Sequence, residues 1–165
     1  MPNISRVAVL HAGMDVEMLR SIAESMQLVA LPHNVSGVRD TSEYEMVLSG
    51  ALEERADALF VFDEFVNAKY NDVLMDFTLN NRLPSICQNL YFIERAGLLY
   101  YFTDVLDLRR RAAVYVDKIF RGAKPADLPV EQPSRFQFIV NMKTAESLGL
   151  QLPSPILAAA DVIIE

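Results

Sequence analysis

His11, Gly13, Asp63, Glu64, Gln88, Asn89 and Tyr91 each follow closely on a short apolar run, so their joint chemistry depends on whether those runs become neighbouring strands. Asp63 and Glu64 can accept hydrogen bonds from an amine or hydroxyl, while the amides of Gln88 and Asn89 both donate and accept. Gly13 lets a backbone approach a ligand closely. With Tyr91, these residues suit the holding of a small organic molecule. They do not suit its transformation. His11 has no Ser or Cys placed beside it as a nucleophile. Asp63 and Glu64 are adjacent, so on an extended segment they point to opposite sides, which is poor geometry for a glycosidase pair. Gly13 alone is not a dinucleotide fingerprint, and no Gly-Lys-Ser or Gly-Lys-Thr phosphate loop occurs. His11, His33 and Cys87 are the only residues of their types, which leaves little for zinc beyond carboxylates. We therefore expect no catalysis, no metal and no cofactor.

Composition narrows the partners. The 165 residues are 52% hydrophobic and carry 15 Lys and Arg against 22 Asp and Glu, a net charge of −7. An acidic balance argues against nucleic acid, which is tracked by clustered cations. Arg109-Arg110-Arg111 does not change this, because three consecutive residues fan through roughly 200° around a helix and form no single strip. No apolar run approaches the roughly 20 residues of a membrane span. One cysteine excludes an internal disulfide. Met1–Ser5 has neither the basic start nor the apolar core of a secretory signal, so the chain as given is expected in the cytoplasm.

The elements that must position the polar residues follow from patterning. Val7–Leu10 and Ala58–Phe62 are continuous apolar runs, as in strands covered on both faces, and Leu28–Leu31 and Ser85–Cys87 are shorter candidates. Leu19, Ile22, Ala23 and Met26 share one helical face. Ser42 with Glu45 forms a capping-box pattern ahead of the stripe Tyr44, Val47, Leu48 and Ala51. Asn67 is placed to cap a third helix carrying Tyr70, Val73, Leu74 and Phe77, which must end before Pro84. Strand–helix alternation of this kind predicts an α/β fold with a doubly wound parallel sheet through Asn89, its ligand site outside the carboxyl ends of the strands. Val9, Leu10, Leu48, Leu59, Val61 and Phe77 are expected in its core. A short helix over Leu90–Ala96 should end at Gly97 as a left-handed cap. Beyond it Leu98–Phe102 predicts a strand, Asp104–Arg121 a helix stopped by Gly122, and Asp127–Pro133 an extended Pro-rich crossing. Arg135–Val140 predicts an edge strand, Asn141 caps a short helix ending at Gly149, and Ser154-Pro155 opens a last one.

The tail carries a resemblance. Ala113–Pro133, with Asp117-Lys-Ile-Phe-Arg-Gly122-Ala-Lys-Pro125-Ala-Asp-Leu-Pro129-Val-Glu-Gln-Pro133, followed by Phe136–Leu150, resembles the ABC transporter substrate-binding proteins of the type I periplasmic-binding fold. Arg6–Leu10 and Arg55–Val61 are similar to that family's strands. The resemblance implies two α/β lobes closing on a small molecule, an ABC permease as partner and a periplasmic location for full-length members. It also implies that this chain corresponds to the second half: residues 1–97 an α/β lobe, 98–125 a strand–helix segment of the otherwise missing first lobe, and 126–165 a crossing that returns to the second. His11–Met14 departs from the family's Asn-Pro type loop, and Phe102 stands where the family has Gly. The expected function is solute binding for an importer, with Gly13, Asp63, Gln88, Asn89 and Tyr91 around an amino-acid-like ligand. The alternative is a half-sized cytoplasmic relative acting as a ligand sensor or oligomeric scaffold. If Leu98–Arg121 lacks its lobe, its strand edge and the stripe Leu108, Ala112, Tyr115, Val116 and Ile119 face water, which predicts a homodimer through this segment.

Overall fold

A computed structural model describes residues 4–165. Strands β1 (Arg6–His11), β2 (Val29–Asn34), β3 (Ala58–Val61) and β4 (Ser85–Cys87) are joined by α1 (Val16–Ser25), α2 (Thr41–Glu53), the pair α3 (Phe65–Lys69) and α4 (Asn71–Asn80), and, after β4, by α5 (Leu90–Arg95). Then follow β5 (Leu99–Thr103), α6 (Val105–Phe120), β6 (Phe136–Asn141), α7 (Met142–Ser147), α8 (Ser154–Ala159) and β7 (Val162–Ile164). They form one seven-stranded sheet in the order β2-β1-β3-β4-β5-β6-β7, parallel except where β5 meets β6. This is the doubly wound α/β fold that the alternation predicted.

The core lies on one sheet face. Ala8, Leu10, Leu59, Val61, Cys87 and Tyr100 pack with Tyr44 and Leu48 of α2, Leu74 of α4 and Phe92 of α5. Each such large side chain removed from water contributes ~1.5–3 kcal/mol. Of the expected core residues, Val9, Leu10, Leu48, Leu59 and Val61 are buried. Phe77 is only half-buried, because α4 turns Leu74, Met75 and Thr78 inward instead. A second cluster joins Leu98 and Val140 to Ala145, Leu148 and Leu152. On the opposite sheet face Val7, Val9, Phe60 and Phe62 meet Leu19, Ile22 and Met26 across an open apolar groove of about 250 Å³. α1 buries no residue completely.

Local chemistry sets the boundaries, and it corrects several expectations. α2 starts two residues before the predicted box: Asp40 is its cap, accepting from the Glu43 N–H, while the Glu43 carboxylate reaches back to the Arg39 N–H. Asp and Glu serve the same reciprocal satisfaction of free donors. Asn67 caps nothing. It is fully buried in α3, accepting from the Tyr44 hydroxyl and donating to the carbonyls of Leu10 and Phe62. Gly97 is not left-handed, since the glycines with positive φ are Gly13, Gly122 and Gly149. Its small size is needed for another reason: a Cβ there would sit 2.9 Å from the Phe92 carbonyl oxygen and 3.2 Å from the Cys87 sulfur.

The largest correction concerns Leu98–Phe102 and Arg135–Val140. β5 pairs in parallel with β4 and antiparallel with β6, so both of its edges are occupied within this sheet. The strand therefore presents no open edge through which a second copy could pair, contrary to the expectation for a homodimer. β6 is likewise interior, because β7, which the patterning did not reveal, pairs with it and forms the rim. The helix is different. α6 has no buried residue, with Val116 49%, Ile119 39% and Phe120 85% exposed. It is tied to the Pro-rich crossing by the Tyr115 hydroxyl on the Pro129 carbonyl and by Arg111 on Glu131 and Ser134.

Candidate functional site

The parallel strands β1, β3 and β4 all end on the same side, and β5 beside them ends there too. The chain leaves β1 through a bend in which His11 Nδ1 accepts from the Met14 N–H, and Gly13 adopts a φ of +87° with no atom within 4 Å of where a Cβ would lie. It leaves β3 through Asp63 and Glu64, with Glu64 accepting weakly from the Ala12 N–H at 3.4 Å. It leaves β4 through Gln88, whose N–H binds the Val61 carbonyl, and Asn89.

Asn89 links two of these ends. Its carbonyl oxygen caps α5 by accepting from the Tyr91 N–H at 2.9 Å, and its amide donates to Asp63 Oδ1 at 2.6 Å. The cap fixes the rotamer, and the rotamer aims the amide at the carboxylate. Beside this link opens a cavity of about 470 Å³. Asp63, Gln88, Asn89 and Tyr91 all line it, so four of the five residues singled out in the sequence come together. Gly13 is not among its lining residues. The volume is within the usual range for a small-molecule site.

The remaining wall was missed because β5 was assigned elsewhere. Tyr100 and Phe102 on the strand, Glu94 on α5, and Val105, Leu106 and Arg109 on α6 complete the lining. The rule that ligands sit at carboxyl strand ends would have found them once β5 was placed next to β4. Phe102 supplies an aromatic wall. Tyr100 is 1% exposed, and burial raises its hydroxyl above the usual range, with Cys87, Asp63 and Asp104 acting in the same direction. It stays protonated and available as a donor. Cys87 is also buried, its thiol pushed up to about 12 by desolvation, so it offers no nucleophile. Among the described residues no cluster of three or more His, Cys, Asp or Glu could hold a metal ion. No described helix is long and apolar enough to cross a membrane.

In doubly wound α/β sheets, a hollow at the carboxyl ends of the strands is where small ligands commonly sit. The sequence match is more specific. The family described as ABC transporter substrate binding protein matches residues 1–164, and the chain belongs to that family. Among solved structures, it is similar to the ABC domain from Streptococcus pneumoniae in complex with L-Trp, with 24% identity and a TM-score of 0.83 over 99% of this chain and 57% of that one. It is similar to a conserved domain protein from Vibrio cholerae at 18% identity and a TM-score of 0.84, covering 99% of this chain and 56% of the other. A Clostridium difficile substrate binding protein with adhesive properties, in its ligand-free open form, aligns at 18% identity and a TM-score of 0.71, covering 99% and 55%. The chain thus spans little more than half the length of these proteins. No curated protein matches it.

Proposed function

We propose that the chain binds a small organic solute, amino-acid-like in chemistry, in the cavity beside Asp63 and Asn89, as part of a system that delivers solute to an ABC permease outside the cytoplasmic membrane. The carrying observation is the position of that cavity: a 470 Å³ hollow at the strand ends, furnished with carboxylates, amides and aromatic rings, in a chain of the substrate-binding family. The L-Trp held by the Streptococcus pneumoniae relative supports an amino acid as the first ligand class to try. Asp63 takes the ligand's ammonium or hydroxyl donor, Gln88 and Asn89 orient its polar end, and Tyr91 packs on its body. The hollow is open to solvent, so the chain by itself should bind with modest affinity compared with an enclosed pocket. The test is calorimetric titration of the twenty amino acids into the wild type and Asp63→Ala. Weak binding that the substitution abolishes supports the reading. A tight ligand unaffected by it contradicts the reading.

A second reading is assembly, as in a ligand sensor or oligomeric scaffold, and the uncovered α6 favours it. Between Val105 and Phe120 the helix carries Arg109, Arg110, Arg111 and Lys118 against Asp107 and Asp117, whereas the whole chain is at −7. A cationic helix with an apolar stripe complements the acidic remainder of a second copy, and a homodimer through α6 buries that stripe. Light scattering coupled to gel filtration decides. A monomer at every concentration removes the dimer.

A further inference from the structure

We propose that Arg109 reads a carboxylate in the strand-end cavity, so that the site selects solutes carrying a carboxylate and a cationic nitrogen on one small body. The proposal rests on the solute-binding reading above and assigns it a specificity-determining residue.

The three consecutive arginines of α6 have different fates. Arg111 is held by Asp107 and Glu131. Arg110 lies outside the cavity, whereas Arg109 lines it, on the same helical face as Val105 and Leu106. Arg109 makes no ion pair or side-chain hydrogen bond among the described residues. The same holds for Glu94, and Asp63 is engaged only by the neutral amide of Asn89. A guanidinium and two carboxylates therefore line one cavity without pairing with one another. Arg109 and Glu94 are both exposed to water at the hollow, where a pair of their own would gain little, so each keeps its charge available to a ligand. A dipolar ligand can satisfy both sides at once. The planar guanidinium fork matches a carboxylate in two parallel hydrogen bonds. Asp63 and Glu94 match an ammonium and disfavour a dianion such as phosphate, which the arginine alone would accept. Tyr91, 69% exposed at the rim, and Phe102 provide faces for an apolar or aromatic body.

The test uses L-tryptophan, tryptamine, which lacks the carboxylate, and indole-3-propionate, which lacks the ammonium. The chain contains no tryptophan, so ligand fluorescence can be followed without background from the protein. Wild type should prefer L-tryptophan over tryptamine by about tenfold or more, the worth of one charge-assisted pair. Arg109→Gln should weaken L-tryptophan and indole-3-propionate by about tenfold and leave tryptamine within about twofold. Arg110→Gln should change none of the three, and circular dichroism confirms that each variant is folded. An unchanged L-tryptophan-to-tryptamine ratio in Arg109→Gln overturns the assignment of Arg109 and leaves the solute reading standing. Wild type that binds none of the three overturns both.

Discussion

Asn67 shows how one buried side chain can hold the site's neighbourhood without touching a ligand. Its amide joins the end of β1, the exit of β3 and the Tyr44 hydroxyl of α2. Removing it strands buried partners at a cost of about 1–3 kcal/mol each. Asn67→Ala should accordingly lower stability by about 2–4 kcal/mol in urea unfolding, and a loss under 1 kcal/mol would show that water replaces it. His33 governs a pH dependence. Burial lowers its pKa from 6.5, opposed by Glu54, whose carboxylate lies 3.9 Å away, and reinforced by His11. The unfolded chain then binds a proton in a range where the native state does not, so stability present above pH 6.5 declines as pH falls through 6.5 toward the lower native value. Urea midpoints between pH 7.5 and 5.5 should fall for wild type and fall less for His33→Gln; parallel curves would place the effect elsewhere. Asp63 follows the strong apolar run Ala58–Phe62, while Gln88, Asn89 and Tyr91 follow the shorter run Ser85–Cys87, and the placing of ligands at strand ends is what brought these four to one hollow. Asn67 was misread because an Asn ahead of an apolar stripe looks the same whether it caps a helix or is buried within one.

The elements through β4 were readable because apolar runs and helical stripes alternate there, although the third helix of the pattern is the pair α3 and α4. What the pattern could not supply was sheet membership. Leu98–Phe102 is a good strand in any sheet, and only pairing with Ile86 and Cys87 on one side and with β6 on the other fixes which sheet it joins. β7 is three residues long and lacks enough period to be seen. Gly97 also illustrates the difference between a conformational and a steric requirement. A methyl group there meets a backbone carbonyl that cannot turn aside, so Gly97→Ala should cost about 1–3 kcal/mol by the overpacking of α5 against β4. Chemical denaturation measures it. A neutral substitution would show that the α5–β5 turn gives way easily. α6 is the element with an apolar stripe but no cover, and it also carries Arg109 to the cavity. Any partner that holds α6 therefore also sets the position of that guanidinium.

At the scale of the molecule, the fold has one well-filled sheet face, one open apolar groove beside α1 and one polar hollow at the strand ends. The groove and the hollow lie apart and share no lining residue, which makes the central claim directly testable. A ligand drawn simply by greasy surface would enter the groove. A solute recognised by its charges would enter the hollow. The deciding measurement is a chemical-shift map of the isotopically labelled chain titrated with L-tryptophan. The account predicts saturable shifts at Asp63, Gln88, Asn89, Tyr91 and Arg109, with the resonances of Leu19, Ile22 and Met26 unmoved. Shifts confined to the groove, or none at millimolar ligand, would contradict it.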